Sequence, residues 1–210
     1  MKAVVLLSGG LDSATCLAWA LGQSYECYAL TVDYGQRHDR EIVSAARIAR
    51  HYGVDHRTVR VPLGDLAQSA LTGTGEVPKN RTDAEIGVGI PPTYVPARNT
   101  VLLALALAWA DTLGAEHLVV GCNVLDHSGY PDCRREFLDA FARAGELGTR
   151  LDAVMVHAPL IEMTKAQILA EARALSVPVA DTWSCYDPDG ARPCGRCDAC
   201  LLRERGRTEA

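Results

Sequence analysis

The chain has little of the positive charge that a polyphosphate-binding surface requires: Lys and Arg number 21 against 26 Asp and Glu, a net charge of -5 over 210 residues. That balance removes a general electrostatic footing on RNA or DNA, so the expected substrate is a small molecule and not a nucleic acid. No apolar run approaches the roughly 18 residues of a membrane span. Met1-Lys2 leads into a strand-like segment with no small-residue cleavage site, so the expected location is cytoplasmic, with no membrane partner. Repeats and low-complexity tracts are missing as well. Hydrophobic residues at 48% and charged residues at 22% are ordinary for a globule, and disordered, collagen-like and mucin-like classes fall away. The length suits one α/β domain with a small appendage better than two full domains.

Without a secretory signal, the eight cysteines do not read as a disulfide framework, and four of them crowd into the last 26 residues. Cys185, Cys194, Cys197 and Cys200 are spaced C-x8-C-x2-C-x2-C, with Gly195 offering a knuckle-like turn. Four thiolates at such gaps suit tetrahedral zinc, although four Cys also hold iron–sulfur clusters. Zinc is preferred because nothing else in the sequence suggests redox chemistry. With every position taken by a thiolate the site is closed, so the ion would staple the tail and not catalyse. Cys16, Cys27, Cys122 and Cys133 read as small buried hydrophobes, Cys133 alone lying in a polar, substrate-like context.

Apolar Lys2 to Leu7, then SGGLDS, then apolar-rich Ala14 to Leu21 read as strand, glycine turn and helix. Strands at Glu26 to Val32, His56 to Val61, His117 to Gly121 and Asp152 to Val156 would alternate with helices at Arg40 to Tyr52, Asn99 to Leu113 and Arg134 to Leu147. The pattern predicts a doubly wound, mostly parallel, five-stranded Rossmann-like sheet. Between Pro62 and Pro96, glycines and prolines interrupt a span too long for an ordinary connection. Thr164 and Gln167 form a capping-box pattern that starts a helix running to Leu175 and puts Lys165 in its first turn. The domain reading is a nucleotide-binding body over residues 1–180 and a metal-binding segment over residues 181–210 packed on it.

Ser8, Gly9, Gly10, Leu11, Asp12 and Ser13 would turn backbone N–H groups and hydroxyls toward an anion at a helix N-terminus. The motif is neither G-x-x-x-x-G-K-[ST] nor G-x-G-x-x-G. SGGLDS resembles the pyrophosphate-binding loop of the ATP pyrophosphatases, or PP-loop enzymes, which cleave ATP between its α- and β-phosphates. Pro159-Leu160 followed by Thr164-Lys165 is similar to the second phosphate segment of that superfamily. The likeness implies that Leu7 to Ser13 and Lys165 hold nucleotide, and that Lys165, with Asp12 and Ser13, serves the chemistry by neutralising charge on the α-phosphate and the departing pyrophosphate.

DYGQRH at Asp33 to His38, TYVPARN at Thr93 to Asn99, SGYPDCR at Ser128 to Arg134 and the TWSCY-x8-CGRCDAC tail, together with SGGLDS, closely resemble the 7-cyano-7-deazaguanine synthase family of queuosine precursor biosynthesis. The five segments lie in register over nearly the whole chain. The resemblance implies a ligase that converts 7-carboxy-7-deazaguanine, ammonia and ATP to the nitrile through adenylated acid and amide intermediates. It implies ATP with Mg2+ as cosubstrate, one structural Zn2+ per subunit and a homodimer. Asp126 and Asp132 are candidates to accept hydrogen bonds from the base, or equally to cap the following helix. Arg98 and Arg134 are candidates for the substrate carboxylate or the phosphates. Gln36 and His38, just after the second strand, stand at the edge where open α/β sheets bind ligands. Two other classes share parts of this pattern: an RNA-modifying pyrophosphatase, which needs a basic surface, and a non-catalytic zinc-stapled nucleotide module, against which the loop and Lys165 argue.

Overall fold

The computed structural model describes residues 1–86, 89–123 and 130–209. Five strands, β1 (Lys2–Leu6), β2 (Glu26–Asp33), β3 (Asp55–Arg60), β4 (His117–Val119) and β5 (Met155–His157), form one sheet in the order β3-β2-β1-β4-β5. Every pairing is parallel. The helices are α1 (Leu11–Gly22), α2 (Arg40–Tyr52), the short α3 (Asp83–Ile86), α4 (Arg98–Leu113), α5 (Arg135–Gly148), α6 (Lys165–Ala174) and α7 (Asp198–Glu209).

Strand periodicity sorts the core into two layers. Ala3, Val5 and Leu7 meet the apolar sides of α1, α2 and α6, where Leu17, Ile48 and Ile168 are fully buried. Val4 and Leu6 point the other way, toward Leu103 and Ala106 of α4 and Leu138 of α5. The strand order reverses between β1 and β4, so a crevice opens beyond their carboxyl ends, and the SGGLDS turn rises at its floor. The capping box at Thr164 forms as the sequence predicts: Thr164 Oγ1 accepts from the Gln167 N–H, and Gln167 Oε1 accepts from the Thr164 N–H at 2.8 Å.

Three sequence expectations need correction. The last two strands are shorter than their apolar runs: β4 stops at Val119 and β5 starts at Met155, not Asp152. Beyond Val119 the chain leaves the sheet to pass the first turn of α1, where a Cβ on Gly121 would lie 3.2 Å from the Ser13 N. The span between Pro62 and Pro96 is not a loose connection, because Leu63, Leu71, Val77 and Val95 are buried in the α4 layer. Its middle reaches the cysteine segment, with Lys79 bridged to Cys197 and Arg81 bidentate on Asp198 at 2.9 and 3.1 Å. Finally, the tail carries α7, a helix the sequence reading missed because its apolar face is weak and its start coincides with the ligand-bearing turn. Among the described residues, no helix is long and apolar enough to cross a membrane.

Candidate active site and cysteine cluster

Gly9 adopts φ +88°, a left-handed conformation open to glycine. A Cβ there would lie 2.1 Å from the Glu41 carbonyl oxygen, so the turn is pressed against the first turn of α2. Ser8 Oγ and Ser13 Oγ meet at 3.0 Å, and Ser13 Oγ donates to the Gly10 carbonyl at 3.1 Å. Gly10 heads α1, and no side chain caps it. The first N–H groups of the helix are thereby left for an anion, with the helix dipole favouring negative charge.

Lys165, at the head of α6, places Nζ 3.0 and 2.9 Å from the two carboxylate oxygens of Asp12. Its stem packs under α7, where a Cβ on Gly206 would be 2.8 Å from Lys165 Cγ. Asn123, past the end of β4, donates to the Leu160 and Met163 carbonyls and so ties the segment before α6 to the crevice. These contacts join residues of the cavity that the phosphate turn floors; Ser8, Asp12, Ser13 and Lys165 line it.

The far wall of the same cavity is aromatic and cationic. Ala97, at φ +55°, turns the chain into α4 and sends Arg98 inward. The Arg98 guanidinium lies 5.8 Å from the Tyr34 ring centre and 5.9 Å from that of Tyr130, within cation–π range. Tyr186 and Glu41 complete this wall. Burial pushes the Glu41 carboxyl up to about 7, the Arg98 charge opposing that rise, and burial likewise lifts Tyr34 to about 12. Asn99 Nδ2 donates to Cys133 Sγ at 3.2 Å and to the Asp132 carbonyl. A hydrogen bond from Cys122 helps hold the Cys133 thiol below its ordinary value, and both sulfurs face the cavity.

The candidates from sequence therefore separate. Leu7, Ser8, Gly10, Leu11, Asp12, Ser13, Lys165, Arg98 and Gln36 line one cavity. Gln36 Oε1 accepts from the Tyr34 N–H at 2.9 Å. Gly9 shapes the turn from behind. Asp132, His38 and Arg134 are outside that lining: Asp132 is buried with Oδ2 on the Asn99 N–H at 2.9 Å, and His38 Nε2 meets the Cys185 carbonyl at 2.9 Å. Arg134 is exposed ahead of α5. Asp126 falls outside the described residues. Glu41, Tyr130, Tyr186 and Arg203 line the cavity without having been singled out; Tyr130 and Tyr186 lie within the SGYPDCR and TWSCY segments, which could have pointed to them, whereas Glu41 and Arg203 lie in no motif.

Cys185, Cys194, Cys197 and Cys200 bring their sulfurs within 4.8 Å of one another, and the group could hold a metal ion. Four thiolates about 2.3 Å from a tetrahedral ion are about 3.8 Å apart, so the cluster suits such an ion with small adjustment. The backbone assists: the Cys194 N–H donates to Cys185 Sγ, and the Cys197 N–H to Cys194 Sγ. From this cluster the tail grips the phosphate turn, since the Trp183 N–H donates to the Gly9 carbonyl at 2.9 Å.

Residues 2–210 match the family described as the queuosine biosynthesis protein QueC. The chain belongs to that family. It is 53% identical to the 7-cyano-7-deazaguanine synthase of Anaeromyxobacter sp. (strain Fw109-5), covering 100% of this chain and 92% of the relative. It is 52% identical to the protein of that name from Thiobacillus denitrificans, over 97% of this chain and 92% of the relative. Queuosine biosynthesis is thus the setting in which the chain works, as an enzyme. Among solved structures, a 4-thiouridine synthetase bound to RNA and ATP is similar in fold at 20% identity, with a TM-score of 0.53 over 99% of this chain and 53% of that one.

Proposed function

We propose that the chain converts 7-carboxy-7-deazaguanine and ammonia to 7-cyano-7-deazaguanine, consuming two ATP per nitrile. The observation that carries this reading is the shared cavity, in which an uncapped helix N-terminus and a Lys–Asp pair face an aromatic chamber holding Arg98. A carboxylate becomes an electrophile once an oxygen is attached to a leaving group. Attack of that oxygen on the α-phosphate gives an acyl adenylate and pyrophosphate. The turn from Ser8 to Ser13 would bind the pyrophosphate, and Lys165 would leave Asp12 to neutralise the charge that builds on it. Magnesium would accompany the ATP.

Arg98 fits the substrate carboxylate better than Arg134 because it lines the cavity and its forked donors match two oxygens. The flat base would stack in the chamber of Tyr34, Tyr130 and Tyr186. Ammonia attack then yields the amide and AMP, and a second adenylation of the amide oxygen lets it depart to leave the nitrile. The four thiolates would hold Zn2+, which when bound cross-links the tail. Trp183 and Tyr186 are thereby held against the turn and the cavity.

Oxygen-18 placed in the substrate carboxylate should appear in AMP, read by mass spectrometry. The primary amide should be accepted as a substrate, with one ATP per nitrile and no need for ammonium. Unlabelled AMP, or formation of ADP with orthophosphate, would refute the adenylation scheme.

A further inference from the structure

Glu41 stands in the wall of the aromatic chamber, yet the proposed adenylation gives its side chain no task. Its main chain is locked: the Gly9 turn presses on its carbonyl, so the residue cannot drift from the phosphate loop without displacing α2. Among the described residues its carboxylate makes no hydrogen bond and no ion pair within 4.0 Å, although Arg98 is near enough to act on it electrostatically. An unpaired carboxylate sheltered by aromatic rings is costly unless a ligand completes it. The two rings that feel its charge, Tyr34 and Tyr186, have hydroxyls that stay neutral far above pH 7 and supply no countercharge. Asp12 and Lys165 compensate each other across the cavity, and Arg203 is engaged with the Val179 and Thr182 carbonyls.

We infer that Glu41 is the ammonium site of this enzyme: its carboxylate binds NH4+ beside the carboxylate that Arg98 holds, takes one proton from it, and releases NH3 onto the acyl carbon. The inference rests on the proposed adenylation. In the step, NH4+ gives a proton to the Glu41 carboxylate and the nitrogen lone pair forms the C–N bond. The C–O bond to AMP breaks with its electron pair on the AMP oxygen, and the surplus proton on nitrogen passes to solvent. The products are amide, AMP and a protonated Glu41, which returns its proton to solvent before the next turnover. A compact cation with four N–H donors suits a carboxylate that lines the same cavity as a guanidinium engaged by the substrate's own carboxylate. A base whose pKa lies near neutrality suits the transfer.

Acid-dependent exchange of labelled pyrophosphate into ATP tests adenylation without ammonia, and amide formation tests the nitrogen step. In Glu41→Gln, exchange should persist, while amide formation from ammonium falls by about a hundredfold or more, the range for losing a general base. Hydroxylamine, mostly uncharged at neutral pH, should restore hydroxamate formation in the variant, since it needs no deprotonation. The apparent KM for total ammonium should change little with pH in the native enzyme. In the variant it should follow free NH3 and fall about tenfold per pH unit below the pKa of ammonium. Circular dichroism and melting temperature check that the variant is folded. Loss of exchange together with amide formation in a folded variant would overturn the inference and make Glu41 a reader of the base. So would native use of ammonium by Glu41→Gln. Absence of exchange in the native protein would instead refute the adenylation reading itself.

Discussion

The phosphate turn and the cysteine segment are both short, glycine-bearing loops, and they obtain their shape in opposite ways. Ser8 to Ser13 is built into the sheet: β1 ends under it, Gly9 lies flat on α2, and its hydroxyls bond to its own backbone. The segment from Cys185 to Cys200 converges four sulfurs, two of which accept backbone N–H groups. A metal cation could join all four. The first loop is backed by secondary structure, whereas the second has little of its own and would be stapled further by a bound ion. Trp183, two residues ahead of that segment, donates to the Gly9 carbonyl, so the tail and the turn are joined directly.

Breaking the weaker partner should therefore have the largest effect. Cys197→Ser, or removal of metal with a strong chelator, is expected to free the tail from about residue 181 and abolish turnover. Elemental analysis before and after, with limited proteolysis, checks this. Retained activity in a metal-free protein, or iron in place of zinc, would count against the staple. Damage to the phosphate site itself should be smaller. Lys165→Ala is expected to lower turnover by about a hundredfold to a thousandfold with metal content unchanged, the usual result of losing one preorganised charge.

The contact where the two regions meet should respond more mildly. Gly206→Ala puts a methyl 2.8 Å from Lys165 Cγ and 3.0 Å from its carbonyl. Overpacking of this kind costs about 1–3 kcal/mol, and a small shift of α7 would relieve part of it. A loss in kcat of about threefold to tenfold is expected, measured beside zinc content to show that the staple is intact.

The smallest effect should come from a pair outside the cavity lining, where His117 and His157 face each other at 3.0 Å and Tyr25 stacks on His117. Burial lowers both imidazoles below their ordinary value of 6.5. The unfolded chain then binds protons that the folded chain refuses, so stability is full above about pH 6.5 and falls as pH drops below it. Acid also competes for thiolate ligands, so the histidine share is a difference: His117→Leu/His157→Leu should show a shallower fall in melting temperature from pH 7 to 5.5 than the native protein. Parallel curves would place the whole acid sensitivity in the cysteine segment.

Much of the architecture was legible in the chain. The continuous apolar run of β1, the capping box at Thr164 and the glycines of the SGGLDS turn act over a few neighbours, and the structure has each where the pattern put it. The ends of β4 and β5 were misjudged because their apolar runs outlast the pairing available at three residues of register. Helix α7 was missed because its charged sequence is helical in a setting that depends on the cysteine cluster and on Lys165 beneath it. Arg98 and Arg134 looked equivalent in sequence, and Ala97 separates them by turning one into the cavity.

The sequence by itself determined the glycine turn between β1 and α1, where the four thiols lie and which family its segments match, because each depends on spacing between close neighbours. Tertiary structure decided the rest. Lys165 reaches Asp12 across 153 residues, and Arg98 meets Tyr34 and Tyr130 from separate elements. Glu41 becomes a near-neutral carboxyl through burial that no local pattern records. Charge in a folded protein is set by what surrounds it in space, and that surrounding is assembled when distant segments pack.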